Sequence, residues 1–518
     1  MSFSQLLDTF IPKVQQKSKQ VNLATWLLET TGSKDAADLK ASLDVELKML
    51  FHDEETFKKL EAYDKENLIS DPILKRQLNV LIRTFKPNLA PKHLFEKIAA
   101  KETELALEYA NFRPSLNGQF LSENDIRNIL KNDVSKENRL KAWEASKEIG
   151  PILSSKIIEL VKLRNECAIH LGYNNFFDMQ LKLQEVDEKW LFKTLDNLAI
   201  DSDEIFTKTL DHIYECLAKR FNVHKEEIGP WAFSEPFCQE DPLDSKELDL
   251  LCESCDFILA ATNFYDKLGF DVRDILKNSD NYERPGKNQH AFCINIDRLN
   301  DVRTLNNLAP SIKWLETLLH ELGHAIYELN FDHELPWLLK EPPHMITTEA
   351  IALLAGRQAY RKQSLDLLVG KNKEHLKQKA EESLKRRQLI FSRWVLVMTY
   401  FERDLYTNPD QDLNTLWWSY VKKYQKISSS GSSWGCDWAC KYHIGLAPVY
   451  YFSYLLGELF ASCIEEKFPN FHEETTGKYL KEKIFKPANR LSFYELIKDA
   501  VDEELTSKSW IHQFVHHE

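Results

Sequence analysis

One short stretch of the chain carries residues that could bind a metal and move a proton. Residues 315–330 read LETLLHELGHAIYELN, and within them His320-Glu321-Leu322-Gly323-His324 is an H-E-x-x-H. On a helix, residues i and i+4 lie about 40° apart around the axis, so both imidazoles project from one face. Two nitrogens placed in this way suit a single Zn2+. Glu321 lies about 100° round from His320 and can reach a water beside the metal without ligating it. A catalytic zinc needs three protein ligands and one open position. The downstream candidates are His333, Glu334, Glu341, His344 and Glu349. The sixth residue after His324 is Asn330, which excludes the metzincin spacing. Glu349 opens the apolar run Glu349-Ala350-Ile351-Ala352-Leu353-Leu354, 25 residues after His324, with Thr347 or Thr348 as its expected cap. A carboxylate in the first buried turn of such a helix is costly without a partner. Zinc is the expected partner, His344 is the runner-up ligand, and a glutamate favoured by the helix dipole is the bland alternative.

Positioning these groups requires helices, and the composition supplies them. The chain has 15 glycines in 518 residues, roughly 3% against a usual ~7%, too few for a β-rich or doubly wound protein. Apolar residues recur at three and four positions through 5–16, 37–53, 54–68, 72–85 and 92–112, punctuated by Pro72 and Pro87. A helix start is expected at Ser122-Glu123-Asn124, with the period running on to about 220. It returns at 311–330, 347–364 and 373–406. Residues 228–245 read as a loop, and the Ser/Gly patch at 427–434 as a surface loop. HAFCINIDR, 290–298, is the best strand candidate. Linkers are short and no repeat is visible, so the expectation is one mainly α domain over 1–518 with a very small β element.

The formal charge of −13, with no basic block, excludes a nucleic-acid binder. No window of 18 apolar residues suggests a membrane span, and the N-terminus does not read as a signal peptide. Nine scattered cysteines, an odd number, read as reduced thiols in a cytoplasmic protein. Cys252-x-x-Cys255 stands alone and reads as structural thiols, and Cys436 and Cys440 could pair only if the protein were exported. The tail WIHQFVHHE, with His512, His516 and His517, reads as a helix end.

Several segments together resemble the angiotensin-converting-enzyme family, helical zinc peptidases of the gluzincin class. HAIYELN after the motif and TEAIALL around Glu349 resemble that family's zinc segments. His290-Ala291 resembles its substrate-strand His-Ala. LWWSYVKKYQ, with Trp417, Trp418, Tyr424 and Gln425, resembles a Trp-Trp…Lys-Tyr-Gln helix. Lys441-Tyr442-His443-Ile444 followed by PVYYFSYLLGELF resembles a Lys-Phe-His-Ile and the catalytic-tyrosine helix. LKAWEASKEIGP and LRNECAIHLGY resemble helices of its N-terminal half. The likeness runs, patchily, over about 120–465.

The resemblance implies a large two-lobed, zincin-like helical peptidase with a deep central cleft, a lid in the helices of 1–112 and a catalytic region over 290–465. It implies one Zn2+ per chain on His320, His324 and Glu349, with Glu321 as the general base that passes a proton from water to the leaving amine. Tyr450 and His443 are the implied oxyanion donors, with Tyr451 the neighbouring possibility. His290 and Ala291 are implied to bind the peptide backbone, and Lys441 a substrate carboxylate. Short peptides are the implied substrates, released as dipeptides or single residues from the C-terminus. An endo-acting oligopeptidase on the same scaffold is the alternative, and an inactive helical peptide-binding protein a remote one. Departures matter too. Ala447 lies near the place of the family's second carboxylate-binding tyrosine, and Val421 and Val449 replace two arginines linked to chloride. Activity without chloride is therefore expected. Leu353 replaces an aspartate four residues beyond the ligand glutamate, so another group must orient a zinc histidine.

Overall fold

Helix follows the 3.6-residue periodicity closely in the computed structural model, which describes residues 2–116, 118–243, 245–428 and 435–516. Residues 429–434 of the Ser/Gly patch, and His517, lie outside the described residues. The first helix, Phe3–Thr31, starts on a capping box between Ser2 and Gln5 and ends at Gly32, whose φ of 61° needs no Cβ penalty. Lys34–Phe51 packs back against it, capped by Ser33. In Pro72–Phe85 the proline takes the first helical position, where its missing N–H costs nothing, and Asp71 caps Leu74 N–H. Lys92–Asn111, and Glu123–Asn132 with its Ser122 cap, fall where the pattern places them.

Strand content is small, as expected, but distributed differently. Among the described residues there are two two-stranded antiparallel sheets. The candidate at 290–298 contracts to Phe292–Asn295, paired with Val302–Leu305 in the register Phe292↔Leu305. The second strand carries no clear alternation and escapes the pattern. Ser115–Leu116 and Gln119–Phe120 form a tiny antiparallel pair just ahead of the Ser122 cap. The stretch 347–364 holds two helices, Met345–Arg357 and Lys362–Leu368, rather than one. The interruption is held by buried charge: Arg357 and Arg361 bond Glu465, Arg357 also bonds Glu458, and Gln358 bonds Glu465. All nine cysteines are free, and burial pushes the Cys252 and Cys255 thiols up to about 12 and about 11.

The chain divides into two compact units, each assembled from three segments. The first comprises Met1–Leu89, Lys246–Glu381 and Leu456–Ser509. In it, Phe3, Leu6, Leu7, Phe51, Leu78, Leu81 and Phe85 pack with Leu338 and Leu339. The N-terminal helices therefore brace the connection between the H-E-x-x-H helix and the Glu349 helix. The second unit comprises Ala90–Ser245, Glu382–Leu455 and Trp510–Glu518. Here the loop read at 228–245 holds little regular structure, yet buried side chains fix it. Arg139 donates to the carbonyls of Trp231, Ala232 and Phe233, and Trp143 and Lys147 both donate to Pro236. Glu235 accepts the N–H groups of Phe237 and Gln239. A backbone without secondary structure must find such partners when it is buried.

Candidate functional site

The metal candidates lie in the first unit. The motif helix, Ile312–Leu329, begins at Ser311, whose hydroxyl accepts Trp314 N–H. His320 and His324 stand one turn apart with ring centroids 4.9 Å from each other. Facing them is the glutamate helix, Met345–Arg357. Its cap corrects the sequence reading: Thr347 and Thr348 are buried inside the helix, and His344 is the N-cap, with Nδ1 accepting Ile346 N–H at 2.9 Å. Burial pushes His344 down to about 3, keeping that nitrogen an acceptor. His344 is thus a cap, and Glu349 enters the helix in its second turn.

Glu349, 4% exposed, places Oε2 3.7 Å from His320 Nε2 and 4.0 Å from His324 Nε2. One ligand atom from each of the three residues lies within 4.8 Å of the others. Donors around one tetrahedral zinc stand roughly 3.4 Å apart, so this set needs only a small contraction to fit the ion. Burial pushes His320 down to about 4 and His324 well below its ordinary value, so both rings are neutral and their nitrogens available. Each ring has an orienting partner. Thr348 Oγ1 lies 2.6 Å from His324 Nδ1, and the backbone of Ala352 bonds the His320 ring. These are the groups that the sequence left unnamed. Glu321 points into the same buried region, where desolvation and the Glu349 carboxylate push it up to about 8.

Two glycines permit this geometry. A Cβ on Gly323, inside the motif, would lie 2.8 Å from Ala352 Cα. A Cβ on Gly457 would lie 3.1 Å from Glu349 Cβ. Beyond them, Glu328, one turn after His324, accepts from Asn295 Nδ2 at 2.8 Å and ties the strand Phe292–Asn295 to the motif helix. His290 is exposed just before that strand, its N–H donating to Asn288 Oδ1 at 2.9 Å, and Ala291 is half-buried beside it. Among the described residues the strand pairs with Val302–Leu305 alone, so its other edge has no strand partner.

The remaining candidates lie in the second unit. Lys441, 8% exposed, donates to Gln239 Oε1 at 3.3 Å. Its ammonium lies 5.0, 5.3 and 5.6 Å from the ring centroids of Phe237, Trp394 and Tyr451. Among the described residues no carboxylate pairs with it. A cation held by three π faces and a neutral amide is suited to an incoming anion. Tyr451 is 4% exposed, its ring against His443 at 4.8 Å and against Trp394 and Tyr454. Tyr450 is half-buried, its ring 5.1 Å from Tyr454. Of the two tyrosines, Tyr450 is the accessible one. Gln239, Phe237 and Trp394 escape the sequence reading because they meet Lys441 across tens to hundreds of residues. An amide and two aromatics in a loop and a helix carry no local signal of their role.

The chain matches two family models. That of the angiotensin-converting enzyme, Peptidase_M2, covers residues 2–219, and that of Peptidase family M3 covers residues 276–516. Both families are zinc-dependent metallopeptidases. The M3 match contains every residue from His290 to Tyr451 discussed above, whereas the M2 match contains the helices of LKAWEASKEIGP and LRNECAIHLGY. Among curated proteins none matches the chain significantly.

Proposed function

We propose, from the premise that this chain is a zinc metallopeptidase acting on peptides, that it trims short peptides from a free C-terminus and most readily releases dipeptides. In this reading His320, His324 and Glu349 hold one zinc ion. When bound, the ion would supply Lewis acidity, lowering the pKa of a water toward ~7 and polarising a carbonyl. Glu321 takes a proton from the attacking water and delivers it to the leaving amine nitrogen. The carboxylate form of Glu321 that this role needs would be favoured by the positive charge of the ion when it is bound. Tyr450 and His443 donate hydrogen bonds to the oxyanion that develops on the scissile carbonyl. His290 donates to a substrate carbonyl, and Ala291 pairs with the peptide backbone as an added strand.

The observation that carries the exopeptidase reading is Lys441, enclosed by Phe237, Trp394 and Tyr451 with Gln239 as its neutral partner. A substrate carboxylate there gains a charge-assisted bond from the ammonium. Glu321→Gln is expected to keep one zinc per chain by metal analysis and to lose turnover by about a thousandfold or more. Undiminished turnover in that variant would remove Glu321 from the mechanism.

An endo-acting oligopeptidase is the second reading. It is favoured by Ala447 near the place of a second carboxylate-binding tyrosine, and by the M3 match over the zinc-binding half. C-terminally amidated peptides separate the two. The exopeptidase rejects them, with kcat/KM lower by about a hundredfold, as expected for a lost charge-assisted contact in a buried site. Equal cleavage of the acid and the amide, read by mass spectrometry of products, selects the oligopeptidase.

A further inference from the structure

The segment between His443 and Tyr450 leaves helix at Leu446, and Val449 then stands at φ 57°. A β-branched side chain is strained in that left-handed region, so the conformation persists only where the surroundings impose it. Two side chains of the second unit, one buried and one half-buried, grip this residue at both of its peptide groups. Glu402, 2% exposed, accepts Val449 N–H at 2.9 Å. Gln184 donates Nε2 to the Val449 carbonyl at 3.3 Å. Four residues earlier, Arg164 donates to the Gly445 carbonyl at 2.8 Å and to the Tyr406 hydroxyl at 3.1 Å. On the other side, the Tyr450 carbonyl accepts Ser453 N–H at 3.0 Å and opens the next helix. The backbone of Tyr450 is therefore fixed from before and from after.

We propose that Glu402 and Gln184 are positioning residues, holding Val449 in its left-handed turn and so setting the direction in which the Tyr450 phenol leaves the chain. The proposal rests on the reading of Tyr450 as an oxyanion donor. Burial pushes the Glu402 carboxyl up to about 8, so at neutral pH it is an uncharged acceptor that suits a single N–H. Glutamine has an oxygen in the same place. Alanine has none.

The test compares these variants in the zinc-loaded enzyme acting on a short peptide. Glu402→Ala is expected to lower kcat by about tenfold or more with KM within about threefold, and Glu402→Gln to stay within about threefold of the parent. Gln184→Ala, which removes the half-buried end of the grip and perturbs folding less, is expected to lower kcat by about threefold to tenfold. In a Tyr450→Phe background, Glu402→Ala is expected to cost no further kcat. Hydrogen–deuterium exchange over residues 446–451 is a readout independent of activity, expected to accelerate in Glu402→Ala and not in Glu402→Gln. Unchanged exchange there, or a kcat loss that adds in full to that of Tyr450→Phe, overturns the proposal. Should Tyr450→Phe leave kcat unchanged while exchange still accelerates, the oxyanion role of Tyr450 falls and the grip on the turn stands.

Discussion

Thr348 shows how one hydroxyl can serve the metal without touching it. Its Oγ1, 2.6 Å from His324 Nδ1, fixes the ring so that Nε2 faces Glu349. Loss of such a partner usually weakens metal binding by 10–100-fold. Thr348→Val, close in shape and lacking the oxygen, should weaken zinc binding by about tenfold in competition with a chelator, with little change in the helical circular dichroism. An unchanged affinity would mean that Ala352 and the helix packing alone orient the rings. At this scale the sequence is legible where the chemistry is contiguous. His320, Glu321 and His324 declare themselves by spacing, and Glu349 by its place in an apolar helix. Thr348 is ambiguous, because a hydroxyl beside a helical glutamate reads equally as a cap. The actual cap, His344, is a residue type seldom used there. The Lys441 cage is illegible, since Gln239 lies 202 residues away in sequence.

The motif helix and the glutamate helix meet so closely that a methyl group decides their separation. Gly323→Ala would press Cβ to 2.8 Å from Ala352 Cα, backbone that cannot swing aside. Overpacking of this kind costs about 1–3 kcal/mol, and here it also spreads the ligand set. The expected result is a lower melting temperature together with weaker zinc binding. Gly356, near the end of the glutamate helix, is the control: a Cβ there meets Glu316 and His320 at an ordinary 3.5 Å. Gly356→Ala should be neutral or stabilise by about 0.5–1 kcal/mol. If both substitutions behave alike in calorimetry, helix proximity is not what Gly323 provides. Helix positions follow from periodicity because an amphipathic face must be buried whatever it packs against. The strand Val302–Leu305 and the antiparallel pair at 115–116 and 119–120 are too short to show a period of two, so pairing alone defines them.

Across the molecule, buried acids tie stability to pH. Glu321 and Glu402 are each pushed up to about 8, whereas an unfolded glutamate titrates near 4.3. Between about pH 5 and 8 the folded, metal-free chain therefore holds more protons than the unfolded one, and stability falls as pH rises. His320, pushed down to about 4, has the opposite sign, but only below the unfolded value near 6.5. From 6.5 to 8 the acids outweigh the residual titration of unfolded histidine, and the buried Cys252 and Cys255 thiols, also pushed up, add to the fall near pH 8. The melting temperature in chelator should fall across this window, and fall less in Glu402→Gln. An equal fall in that variant would contradict a protonated Glu402. The mainly α class was legible at this scale from glycine content and pattern. The grouping of residues 1–89 with 456–509 was not, because no local propensity encodes which distant faces pair. That three-segment construction has a consequence for how the chain is made. Ribosomes deliver about 5–20 residues per second, so the first unit's opening helices wait roughly 20–80 s for its closing segment to emerge. During that interval Arg76, 7% exposed in the finished fold, waits for Asn489, whose backbone and side-chain oxygens accept its guanidinium.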